Sequence, residues 1–173
     1  DPQATSMTYA RIAGFTFLFY IAAGITSLSL GKEANVTELL YLLQNLSAIV
    51  LGVTLYMLTR EYGPALALLA LIFRSMEAIH DESEIFFAVG SLLFCWLLLR
   101  GKMIPTGLAW LGVTASVLLV VILPLQLAGV ITGAGWASSA TWMIWMPMLV
   151  FEIAFALWLL VKGIALRAAP QSS

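Results

Sequence analysis

The chain has 173 residues, 62% of them hydrophobic and 10% charged, with a formal net charge of −1. A soluble domain carries about 25% charged residues and needs polar side chains to cover its outside, so this composition excludes a water-soluble globule and makes lipid the solvent. A near-neutral chain without a basic run excludes a nucleic-acid partner, and one cysteine with one histidine excludes an internal disulfide, a Cys-rich metal site and a multi-histidine zinc site.

Cutting the apolar runs at charges, glycines and prolines predicts six transmembrane helices in an all-α bundle. Residues 1–8 are polar and lack a basic n-region, which reads as a disordered or tag-derived start and not a cleavable signal peptide. A single transmembrane domain follows over 9–167, and 168–173 form a polar tail. Helix one is predicted from Tyr9 to Leu30, ending at Gly31-Lys32-Glu33. Helix two starts near Thr37-Glu38, an N-cap followed by an acid in the first turn, and stops at Thr59-Arg60-Glu61. Pro64 suits the first turn of helix three, which runs to about Ile79. After the polar segment from His80 to Glu84, helix four covers Ile85 to Leu99, short for a span unless the polar approach adds a turn. Helix five follows Pro105 and reaches Val130 with Pro124 inside it. Helix six runs from Thr141 to Val161 and contains Pro147, so both are expected to kink.

Placing the N-terminus inside puts Arg11, Arg60, Arg100, Lys102, Lys162 and Arg167 on the cytoplasmic face and leaves only Lys32 outside, as the positive-inside rule requires. An even number of spans then returns the C-terminus to the same side.

Charges in hydrocarbon cost about 2.5–3.5 kcal/mol each on insertion scales, so each needs a partner or a wet niche. Arg74 lies well inside helix three, and Glu77 is three residues on, within reach for pairing. His80 continues that face at the membrane boundary. Glu152 sits near the middle of helix six with no basic residue within a turn, so it must be protonated or face Arg74 across the bundle. Gln44, Asn45 and Ser47 in helix two and Gln126 in helix five fall in the outer half, with Tyr20 and Glu152 near mid-depth. That asymmetry predicts a polar pocket opening outward, with Tyr20 and Glu152 as its floor. The competing reading is that these groups only fasten helices together, as Asn, Gln and paired charges do in lipid. The tryptophans Trp136, Trp142, Trp145 and Trp158 are read as interfacial anchors, and Cys95 as a small buried hydrophobe.

No Gly-x-Ser-x-Gly elbow or Gly-rich phosphate loop occurs, and Lys162 is too shallow for a mid-membrane Schiff base. Three functional readings remain. The first is a non-enzymatic binder of a small hydrophobic or amphiphilic molecule, using Arg74, Glu77, Glu152, His80, Asn45, Gln44, Gln126 and Tyr20. The second is an accessory subunit of a larger membrane complex, such as a respiratory or photosynthetic assembly, docking through helices five and six. The third is an intramembrane enzyme or transporter; its acid–base groups would be Glu77, His80 and Asp81, but acid–base work needs positioned partners. No metal or cofactor is specified.

Several stretches resemble the bacterial membrane proteins grouped as domain of unknown function 4386. They are Arg11-Ile12-Ala13-Gly14, Phe73-Arg74 with Glu77, Leu99-Arg100 through Ile104-Pro105, and Met146-Pro147 with Glu152, Trp158 and Val161-Lys162-Gly163. The resemblance implies a polytopic inner-membrane protein and singles out Arg74, Glu77 and Glu152, but it implies no activity. Two departures stand out: the segment between helices three and four is short, and Phe151 stands where an asparagine often precedes the glutamate.

Overall fold

The computed structural model describes residues 2–30, 35–79, 83–131 and 138–164. Within them the chain is all-helical and has no strand: α1 Pro2–Leu30, α2 Asn35–Thr59, α3 Pro64–Glu77, α4 Ser83–Arg100, α5 Thr106–Leu127 and α6 Ser139–Val161, with a single 3-10 turn, Arg60–Tyr62, closing α2. Four stretches are long and apolar enough to cross a membrane: Ala4–Leu30, Val36–Tyr62, Thr106–Leu127 and Ser139–Val161. The remaining two helices are shorter, with 14 residues in α3 and 18 in α4. At 1.5 Å per residue these extend about 21 Å and about 27 Å, against a hydrocarbon core of about 30 Å.

The boundaries follow local chemistry. Pro64 sits in the first turn of α3 behind Gly63, and Pro105 caps the start of α5. Ser138 caps α6, its side chain accepting from the Ala140 amide at 3.2 Å. The short helix is α3, where the sequence had pointed to α4; α4 starts at Ser83, gaining part of a turn from its polar approach. Helix α1 begins at Pro2, ahead of the expected Tyr9, and α2 at Asn35, ahead of Thr37. Hydroxyls inside the helices are satisfied by the carbonyl one turn back, as in Ser47 to Leu43 at 2.7 Å, Thr59 to Leu55 at 2.7 Å and Ser116 to Gly112 at 2.7 Å. Ser47, counted above among the polar groups of helix two, therefore spends its donor on its own helix.

Each helix packs on its neighbours in sequence, and α1 also packs on α6, so the six close into a ring. Short connections make consecutive helices antiparallel. Glycines let the backbones approach: a Cβ on Gly14 would lie 2.8 Å from the Ala156 carbonyl oxygen, which fixes α1 against α6. One on Gly101 would lie 2.8 Å from the Tyr62 ring, and one on Gly163 2.9 Å from Met7 Sδ. The α2–α3 turn, the α4–α5 turn and both ends of the described chain therefore share one end of the bundle. The interior is filled by residues such as Phe17, Leu51, Phe94, Leu119, Phe155 and Leu159. The outside is also apolar, with Phe15, Ile72, Trp110, Met143 and Val161 exposed, as expected of a surface solvated by lipid.

Candidate functional site

The charged centre of the ring is built on the last turn of α3. Arg74 and Glu77 are one turn apart and both buried, at 1% and 7% exposure, with Arg74 Nη1 2.9 Å from Glu77 Oε2. The hydroxyl of Tyr20, on α1, donates to the other carboxylate oxygen, Oε1. Glu77 is thus held from two sides, which also fixes the guanidinium it pairs with.

Room for the arginine is made by two glycines on the flanking helices. A Cβ on Gly52 of α2 would lie 3.2 Å from Arg74 Cβ, and one on Gly90 of α4 would lie 3.1 Å from Arg74 Cγ. Arg74's aliphatic stem occupies the slot between them. Above the stem, the guanidinium carbon lies 4.7 Å from the Phe87 ring centroid and 5.5 Å from that of Tyr20, both within cation–π range. Phe87 stacks on Tyr20 at 6.5 Å and packs against Trp145 at 5.4 Å. A plate of three aromatic rings from α1, α4 and α6 thus covers the ion pair.

Glu152 is buried on α6, at 6% exposure. It shares with Arg74 the lining of a cavity of about 20 Å³, enough for about one water-sized group. The lining is mixed. Arg74, Ser91, Cys95 and Glu152 form the polar part, and Phe17, Leu55, Phe94, Leu98, Phe151 and Phe155 the apolar part. Arg74 Nη1 and Glu77 Oε2 meet at 2.9 Å as an ion pair without hydrogen-bond geometry, and Arg74's Nε and Nη2 have no protein atom placed to accept from them. Buried polar groups of native proteins are nearly always satisfied, so donors left over on a buried guanidinium beside a small cavity stand out. Among the described residues, no group of His, Cys, Asp and Glu is arranged to hold a metal ion.

The structure brings Arg74, Glu77, Tyr20 and Glu152 together and distributes the other expected residues elsewhere. Gln44 is half-buried against Gly24, at the α1–α2 contact, where a Cβ on the glycine would lie 3.0 Å from its Nε2. Asn45 and Gln126 are also half-buried, and no hydrogen bond or ion pair joins either to the cluster. His80, Asp81 and Trp136 lie outside the described residues.

The aromatic cover and the cavity lie at different heights in the bundle. Phe87 lies one turn, and Trp145 two turns, nearer the α3–α4 end of the bundle than Ser91 and Glu152. Aromatic rings fill that half, so the cavity extends from Arg74 toward the end that carries the chain termini, by way of Leu55, Leu98 and Phe155. Tyr20 belongs to the cover, not to a floor. Trp145, expected as an anchor in lipid, is half-buried in that cover. Gly52, Gly90, Ser91 and Phe87 were not singled out from sequence. The two glycines interrupting otherwise bulky runs were the available signal.

Residues 80–163 match the family described as domain of unknown function (DUF4386), the family the sequence resembles. The matched stretch covers α4 to α6 and carries Phe87, Ser91, Trp145 and Glu152; Arg74, Glu77 and Tyr20 precede it. No curated protein and no solved structure matches the chain.

Proposed function

We propose that this is a six-span inner-membrane protein, both ends cytoplasmic, that binds a small amphiphilic molecule in the cavity beside Arg74 and performs no chemistry on it. The carrying observation is the buried guanidinium, ion-paired with Glu77 yet with Nε and Nη2 left without a protein acceptor, lining a small and mostly apolar cavity. The ligand's head group takes Arg74's donors, Glu77 and Tyr20 hold Arg74 in place, and Glu152 forms the opposite wall. The cavity's volume holds a head group only. The tail would have to displace Phe94 and Leu98, which line the cavity beside it.

The six-span topology is supported by the ring closure and by the basic residues on one side. With α3 about 9 Å shorter than the hydrocarbon core, the α3–α4 hairpin would cross by local thinning of the bilayer around its outer turn.

Native mass spectrometry of protein extracted from its own membranes in mild detergent tests the binding. We expect a small molecule of defined mass on the wild type and none on Arg74→Leu. Leu98→Trp, which fills the apolar part and leaves the charges untouched, should lose it too while staying folded. A fixed-stoichiometry protein partner with no small molecule would establish the accessory-subunit reading instead.

A further inference from the structure

We infer that the group this cavity takes is a single uncharged oxygen, a hydroxyl or carbonyl, and not a phosphate, carboxylate or ammonium. The inference rests on the binding reading above and narrows it to a ligand class.

Charge is the first argument. The titratable and charged groups around the cavity are Arg74 and Glu77 from α3, Tyr20 from α1, Cys95 from α4 and Glu152 from α6; α2 contributes Leu55 to the lining, and α5 contributes nothing to it. Glu77 already offsets Arg74 at 2.9 Å. An anionic head would bring another negative charge beside two carboxyls around one guanidinium, away from water, where such crowding is strongly unfavourable. An ammonium would sit against the guanidinium itself. A neutral oxygen leaves the charges as they are.

Hydrogen bonding and size point the same way. Arg74 Nη1 and Glu77 Oε2 face each other at 2.9 Å, which leaves Arg74's Nε and Nη2 as buried donors without a protein acceptor. A hydroxyl or carbonyl oxygen supplies two lone pairs to them, and a hydroxyl also has a proton to give to Glu152. The free volume of about 20 Å³ matches one such oxygen and falls short of the several oxygens of a phosphate.

The test uses the protein in phosphatidylcholine nanodiscs with three photoreactive probes of one chain length: 1-octanol, octyl phosphate and octyltrimethylammonium, each carrying the same diazirine. Crosslinks are mapped by peptide mass spectrometry. The octanol probe should label α4 between Ser91 and Leu98 at least tenfold more than either charged probe. Excess unlabelled octanol should compete it away, and Leu98→Trp should remove it. Labelling by the phosphate or ammonium probe at parity or better would overturn the neutral-head assignment and leave the binding reading standing. Labelling by none of the three would overturn both, and octanol labelling that survives Leu98→Trp would place the probe on the lipid-facing side and overturn the assignment.

Discussion

At the residue scale the fold rests on one ion pair that the membrane makes costly to break. Removing one partner of a buried pair leaves an uncompensated charge and costs about 3–5 kcal/mol, whereas replacing both with apolar groups of similar size is often neutral or stabilising. Glu77→Leu should therefore cost stability of that order, read as a lowered thermal unfolding midpoint in detergent, and the double change Arg74→Met with Glu77→Leu should recover most of it. If the double variant is no better than the single, the pair is not the unit of stability. Tyr20→Phe removes one hydrogen bond to a carboxylate and should cost about 1.5–3 kcal/mol, read by the same unfolding. The pairing of Arg74 with Glu77 was legible from their spacing, and Glu152 as Arg74's counterpart was legible from its isolation on helix six. Tyr20's bond to Glu77 was not, because sequence spacing says nothing about which residues of two different helices share a height.

At the element scale the helices were easy to find and their faces were not. In a soluble bundle the apolar stripe marks the buried side of each helix, but here the lipid-facing side is equally apolar, so periodicity no longer tells inside from outside. That is why Gly52 and Gly90 escaped notice although they form the slot for Arg74. Their role gives a prediction. Gly90→Ala and Gly52→Ala place a methyl against the arginine stem and should each cost about 1–3 kcal/mol. In an Arg74→Ala background the cost should shrink, because the stem they press on is gone. A double-mutant cycle measures this coupling, and an unchanged cost would mean the methyl meets its other neighbour instead, Leu71 Cδ1 at 3.0 Å for Gly52 or the Ala70 carbonyl at 3.3 Å for Gly90. Gly112→Ala is expected to be worse, since its Cβ would lie 2.6 Å from the Phe151 ring and 2.7 Å from Cys95 Sγ.

At the scale of the whole molecule the closure of α1 on α6 was invisible in the sequence, since no motif pairs Gly14 with Ala156. The orientation expected from the distribution of lysine and arginine is a separate matter, and the natural protein makes it testable. Cys95, its single cysteine, is buried, so single cysteines can be added on a nearly silent background. A membrane-impermeant maleimide on intact cells should label Ser138→Cys and spare Lys102→Cys, which should react only after lysis. The reverse pattern would invert the topology, and labelling of both from one side would exclude an odd number of crossings between α4 and α6.

The ring has no seam that is covalently privileged. Met7 and Ala10 at the start of α1 lie against Gly163 after the end of α6, so a linker from the end of α6 to the start of α1 would join neighbouring points on one face. The chain could then be reopened at the α2–α3 or α4–α5 turn, on that same face, and the new ends would emerge where the old ones did. Such a circular permutant keeps every helix–helix contact and the sidedness of every loop, while changing which helix meets the insertion machinery first. If permutants opened at both turns assemble equally well, the architecture is specified by packing around Arg74 and not by the order in which the spans enter the bilayer.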